Sequence, residues 1–189
     1  LARNANDELA DACRRHPDRF SALATVAPQA PDAAAAELAR CKSQGFVGAI
    51  INSHVRHEYL DDQKFWPIFE AAESLDMPIY LHPTTPSKAL IGPMLDLRLE
   101  GAIFGFAVEA GLHALRLIVG GVFDRFPRLR LVLGHLGEAL PFWLYRLDYM
   151  FKAGCRRSGE SRATRLPSEY LRENIWVTTS GMAWEPAIM

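Results

Sequence analysis

The chain has 189 residues, a formal net charge of −1, 49% hydrophobic and 23% charged residues. This is an ordinary globular composition and excludes collagen-like, coiled-coil and disordered readings. Near-neutral charge removes the basic face that non-specific nucleic-acid binding needs, and no apolar run reaches the ~18 residues of a membrane span.

The chain opens at Leu1 inside a stretch that already reads as helix, over residues 4–15. Residues 20–26 (FSALATV) form a strand candidate. Pro31 and Asp32 then open an alanine-rich helix to about Lys42, with Asp32 able to cap the first free N–H groups. Gly45 stops it, and residues 46–51 (FVGAII) read as a buried strand. Asp61 and Asp62 start a helix with Phe65, Ile68, Ala72 and Leu75 at helical spacing and Pro67 in its first turns. Residues 78–82 (PIYLH) are the next strand, followed by the loop HPTTPSK. A long apolar helical region covers residues 101–126. Residues 129–134 (LRLVLG) form a strand, 138–151 a helix, and 175–179 (IWVTT) a strand. The chain ends at Met189 as another helix begins, so 1–189 is expected to be a single domain, the interior part of a longer protein. The polar stretch 154–167 (GCRRSGESRATRLP) reads as a solvated loop. Cys13, Cys41 and Cys155 are far apart and form no C-x-x-C pair. Neither a disulfide framework nor a structural zinc site is expected, and a reducing cytoplasm fits.

Strands that are almost wholly apolar are buried on both faces, as in parallel sheets covered by helices. Five strands, each followed by a helix, give the repeated βα unit of a doubly wound sheet or a (β/α)8 barrel. No G-x-G-x-x-G or G-x-x-x-x-G-K-[ST] follows a strand, which removes the usual mark of nucleotide-binding sheets. The α/β reading is therefore a TIM-like (β/α)8 barrel, of which this chain covers about five βα units.

Of the six histidines, His82 and His135 each stand at the exit of an apolar strand, the face that carries active sites in parallel α/β folds. One such histidine is commonly a packing residue; two favour a site. Pro83 fixes the backbone after His82, a rigidity that suits metal ligation by a neutral imidazole. In LGHLGE, Gly134 and Gly137 allow close backbone approach. Glu138 is placed to hydrogen-bond His135 and set its tautomer, while also favouring a helix N-terminus. Glu109 and His113 lie four apart on one helix face and read as a buried structural pair rather than a metal site. His54, in the loop NSHVRHEYLDD, lies near the presumed active face, and His16 reads as a helix C-terminal residue.

On a helical projection of 138–151, Leu140, Trp143, Leu144, Leu147 and Phe151 form an apolar stripe suited to the barrel. The opposite stripe is Phe142, Tyr145, Arg146 and Tyr149. Tyrosine with arginine is an interface composition, so this helix is expected to join copies in a homo-oligomer, a dimer or tetramer, with Arg146 in the contact.

YLHP followed by GH-x-GE resembles the metal-dependent decarboxylase branch of the amidohydrolase superfamily. That branch includes the decarboxylases of aminocarboxymuconate semialdehyde, γ-resorcylate and 5-carboxyvanillate. INSHVRHEYLDDQ, GAIFGFAVEAGLHALRL, GHLGEALPFWLYRLDYM and TSGMAWEPAI look nearest to the 5-carboxyvanillate members. The resemblance implies one divalent metal ion, Mn2+ or Zn2+, with His82 as a ligand. It makes His135 the active-site histidine, Glu138 its hydrogen-bonding partner, and Arg146 the residue reaching a neighbouring subunit's substrate carboxylate. The family's E-x-H ligand motif and late-strand aspartate have no counterpart in these residues.

The implied activity is non-oxidative loss of CO2 from an ortho-hydroxylated aromatic acid, with a carboxy-lyase's small aromatic substrate and no nucleic-acid or membrane partner. His135 and the family's aspartate both remain as proton donors. One alternative is a metal-dependent hydrolase of a lactone, amide or ester, which would use the same histidines. The other is an inactive relative acting as a subunit or ligand-binding protein.

Overall fold

The computed structural model describes residues 1–155 and 162–188. Five short strands, β1 (Leu23–Thr25), β2 (Gly48–Asn52), β3 (Ile79–His82), β4 (Leu131–Leu133) and β5 (Ile175–Val177), form one sheet. They lie in sequence order and every neighbouring pair is parallel. That order, with a helical crossover between consecutive strands, is the winding of a barrel wall; a doubly wound sheet reverses its order at a switch point.

Helix α1 (Ala2–Arg15) precedes β1, and its C-cap is His16 as the sequence predicts. Helix α2 (Pro31–Ser43) follows, with Pro31 at its first turn. Asp32 sits inside that turn and makes no capping bond; the N-cap is Ala30. The acid therefore acts only through its charge near the helix N-terminus. Asp62 does cap: its carboxylate accepts Lys64 N–H at 3.0 Å over the 3-10 turn Gln63–Phe65, which runs into α3 (Trp66–Ser74). After β3 come the short α4 (Lys88–Ile91) and the long α5 (Gly105–Val119). The single helix expected over 101–126 is instead broken at Gly120–Gly121. Gly121 takes the left-handed backbone (φ 78°) that lets the chain restart as α6 (Val122–Arg125). Helix α7 (Leu140–Met150), a π-turn (Phe151–Cys155), α8 (Pro167–Asn174) and α9 (Glu185–Ile188) complete the chain. Residues 156–161 of the polar stretch 154–167 lie outside the described residues.

The strands are not uniformly buried, contrary to the reading of their composition. Ala24, Ala49, Ile79, Leu131 and Ile175 pair across the sheet in one row, all at 4% exposure or less, and pack with the helices. The adjacent row, Thr25, Ile50, Tyr80, Val132 and Trp176, faces the other way and is half-buried or exposed. The strand pleat sends alternate side chains to opposite faces. One face is covered by helices, and the other is the one a closed barrel encloses. Phe65, Ile68, Phe69 and Ala72 from α3 and its entry turn, Leu117 and Ile118 from α5, and Phe123 and Phe126 supply the helical half of the core. Asn6 ties α1 to the sheet: buried, it donates to Thr25 O and Glu37 Oε1 and accepts Thr25 N–H, at 2.8–2.9 Å.

Candidate active site

The strand register sets the site's geometry. Asn52 pairs with His82 and Leu81 with Leu133, so His82 and Gly134 leave the sheet at the same level. His82 lies two residues after Tyr80 and therefore on the same open face of the sheet; the two rings are 6.3 Å apart. The His82 imidazole is exposed and makes no hydrogen bond among the described residues, leaving its nitrogens available to a ligand.

After β4 the chain enters a left-handed turn. His135, Leu136, Gly137, Glu138 and Ala139 all have positive φ, between 50° and 72°. Only Gly137 adopts this freely; L-residues pay roughly 1–2 kcal/mol each for left-handed helical backbone. Such strain persists only where its surroundings impose it. Here Leu136 N–H donates to Thr178 O and Gly137 N–H to Gly134 O, both at 2.8 Å. Helix α5 packs close behind: a Cβ on Gly111 would meet the Glu138 carbonyl oxygen at 3.3 Å. The helix expected from Glu138 begins instead at Leu140, because Glu138 belongs to this turn.

The turn brings Glu138 Oε1 to 2.6 Å from His135 Nδ1, the pair the sequence anticipates. The Glu138 side chain is 1% exposed and that of His135 35%. Burial pushes the Glu138 carboxyl above its ordinary value, opposed by the His135 hydrogen bond and by the positive charge that His135 and His82 carry when protonated. With Nδ1 committed to the carboxylate, Nε2 is the nitrogen left for chemistry. It lies beside Gly181, where an added Cβ would sit 3.7 Å away.

The other histidines are engaged in the fold. His113 Nε2 accepts Leu60 N–H at 3.0 Å, so Nδ1 carries the proton and donates to Ser53 Oγ at 3.1 Å. Ser53 Oγ in turn donates to Glu109 Oε1 at 3.1 Å. Glu109 Oε2 accepts Ser87 N–H at 2.9 Å and the Tyr59 hydroxyl at 3.2 Å. Glu109 and His113 are thus a buried structural pair, as expected from their spacing, but they meet through Ser53. Sequence spacing identifies the two helical members and gives no sign of Ser53, Tyr59 or Ser87. His54 accepts His57 N–H through Nδ1 and meets Thr85 O through Nε2 at 3.2 Å, so both its nitrogens serve the β2 loop.

Arg146 lies on α7, exposed and without a carboxylate partner among the described residues. Phe142, Tyr145 and Tyr149 share its outward face, with the two tyrosine rings stacked at 6.5 Å. Leu140, Leu144, Leu147 and Phe151 turn inward as expected. Trp143, assigned to the inward stripe, is instead 52% exposed. It lies about 60° from Leu140 around a helix of 100° per residue, at the edge of the buried spine. With Arg146, Leu147 and Met150 it lines a shallow apolar cavity of about 440 Å³.

Among the described residues no group of three or more His, Cys, Asp or Glu could hold a metal ion. An exposed, unengaged imidazole at a strand end nevertheless suits a first-row divalent metal. These residues therefore fit a metal as contributors to a ligand set, with His82 as the nitrogen donor and buried Glu138 with His135 close by.

The chain belongs to the amidohydrolase family, whose model matches residues 1–187. It is 41% identical over 192 residues to γ-resorcylate decarboxylase of Rhizobium radiobacter, covering 96% of this chain and 58% of that one. A crystal structure of 5-carboxyvanillate decarboxylase from Novosphingobium aromaticivorans, with bound manganese and 4-hydroxy-3-methoxy-5-nitrobenzoic acid, superposes with a TM-score of 0.96 at 52% identity. It covers 100% of this chain and 55% of that one. The Sphingomonas paucimobilis 5-carboxyvanillate decarboxylase has the same TM-score at 44% identity, over 100% of this chain and 56% of its own. The chain thus spans a little over half the length of these relatives, and its five-stranded parallel sheet is a part of their barrel fold.

Proposed function

We propose that this chain is the interior single-domain part of a metal-dependent, non-oxidative decarboxylase of ortho-hydroxylated aromatic acids such as 5-carboxyvanillate. The observation that carries this reading is the His135–Glu138 pair, held on a strained turn at the strand exit that neighbours His82. Several relatives of the same family bear the names of aromatic-acid decarboxylases, which supports the substrate class.

In this reading His82 contributes one ligand to a divalent ion, Mn2+ or Zn2+; relatives carry manganese. When bound, such an ion supplies Lewis-acid stabilisation of negative charge on the substrate's oxygens. Glu138 accepts Nδ1–H of His135, orients the ring and stabilises its imidazolium form, whose Nε2–H passes its proton to the ring carbon bearing the carboxylate and leaves the imidazole neutral. As the new C–H bond forms, the C–C bond breaks and its electron pair returns to the ring; CO2 leaves. Arg146 recognises the substrate carboxylate bidentately in the site of a second copy, with the exposed aromatic face of α7 forming a homodimer contact. Cys13 and Cys41, both free thiols, fit a reducing cytoplasm.

The test uses the full-length protein: metal content by mass spectrometry, and ultraviolet assay of 5-carboxyvanillate and 2,6-dihydroxybenzoate with CO2 detection. About one Mn or Zn per subunit together with CO2 release is expected. Metal without CO2 release overturns the decarboxylase reading in favour of a hydrolase, and the absence of metal after reconstitution leaves an inactive relative.

A further inference from the structure

Glu109, His113 and Ser53 are buried, mutually hydrogen-bonded and remote in sequence from the residues to which the proposed chemistry is assigned. Their connections converge on one place. Ser53, the residue after β2, has φ 23° and donates its N–H to the backbone carbonyl of His82 at 2.8 Å. The Ser53 side chain is gripped on both sides, by His113 Nδ1–H as donor and by Glu109 Oε1 as acceptor. The other Glu109 oxygen takes Ser87 N–H, five residues beyond His82. One carboxylate therefore ties the loop after β2 to the loop after β3. Both Glu109 and His113 stand on α5, whose Gly111 lies against the Glu138 carbonyl oxygen. Each of the three side chains is fully buried, so the network exchanges no partner with solvent. It holds the His82 main chain from Ser53 on one side and from the Ser87 end of its loop on the other.

We propose that Glu109, His113 and Ser53 are positioning residues for His82, clamping its strand end so that the imidazole is presented to a divalent cation in one orientation. This rests on His82 being a metal ligand. Groups behind a ligand that orient it commonly contribute roughly 10–100-fold to metal affinity. Here the orientation acts through the ligand's backbone and flanking loop.

Mn2+ affinity decides the matter, measured on the full-length metal-free protein by the loss of the aqueous Mn2+ electron paramagnetic resonance signal. The variants are Ser53→Ala, the near-isosteric Glu109→Gln, His82→Ala, and Asn6→Ala as a control. Asn6 is equally buried but ties α1 to β1 and α2, so its loss destabilises the fold without touching the clamp. The expected result is a Kd raised roughly 10–100-fold by Ser53→Ala and by Glu109→Gln, a larger loss in His82→Ala, and an unchanged Kd in Asn6→Ala. Should Ser53→Ala fail to fold, Glu109→Gln alone carries the comparison. A Kd within about twofold of the parent in both clamp variants, with binding lost in His82→Ala, overturns the clamp and leaves His82 as a ligand. Equal weakening in Asn6→Ala reduces the effect to general destabilisation and also overturns it. Unchanged binding in His82→Ala removes the ligand reading and the clamp with it.

Discussion

Replacing His113 by Gln should flatten the protein's acid sensitivity over a defined pH window. His113 is completely buried, and desolvation, aided by the positive charge of Arg116 and then of His54, pulls its pKa down to about 3. An unfolded histidine titrates near ~6.5. Below that pH the unfolded chain binds a proton that the folded chain refuses, so stability is fully present above ~6.5 and is lost as pH falls toward 3. The loss is about 1.4 kcal/mol per pH unit, or about 2 kcal/mol between pH 6.5 and 5.0. Gln can still accept Leu60 N–H at the position of Nε2 and carries no titrating proton. Urea unfolding of the full-length protein and of His113→Gln at pH 7.0, 6.0 and 5.0 supplies the comparison. The variant starts less stable at pH 7.0, because the contact with Ser53 is altered, but should lose about 2 kcal/mol less on acidification. The buried carboxyl of Glu138 titrates in the opposite sense, since its raised pKa adds stability at low pH, and it is common to both proteins. Parallel pH slopes for the two would refute the reasoning, by showing that His113 is protonated in place or is solvated in the folded protein.

Three other outcomes follow from the geometry. His135→Ala should reduce decarboxylation by roughly 10²–10⁴-fold with the fold intact by circular dichroism; undiminished turnover would remove its proton-transfer role. Gly137→Val should destabilise by about 2–5 kcal/mol, combining left-handed backbone strain with overpacking, because its Cβ would lie 3.1–3.3 Å from Pro141 and Val177. A thermal midpoint within 2–4 °C of the parent would contradict that (about 1 kcal/mol for a protein this size). Phe142→Asp combined with Tyr149→Asp places two charges on the outer face of α7 and, if that face forms the proposed homodimer contact, should convert a dimer to monomers in sedimentation velocity; an unchanged sedimentation coefficient would refute that contact.

How far the sequence carries depends on whether a signal is local. The five strands are legible because each is a short apolar run; four fall inside the expected ranges and β2 runs one residue past its range, to Asn52. Histidine at the exit of two such runs is equally local, so His82 and His135 stand out before any coordinates. Glu138 is legible for the same reason, since a pairing three residues apart needs no tertiary knowledge. What escapes the sequence is decided by distant atoms. Nothing in LGHLGEA except Gly137 asks for positive φ, and four L-residues adopt it where Thr178 just after β5, Pro141 and helix α5 close in on the chain. The same holds for Ser53, an ordinary loop serine whose partners lie 56 and 60 residues away. Even the error over strand burial has this origin, because an isoleucine facing a barrel interior is as apolar as one packed under a helix. Composition reports that a residue can be buried; only the register across all five strands shows which row is. The chemistry-bearing side chains are therefore readable one at a time, whereas the strain and the hydrogen bonds that aim them belong to the assembled fold.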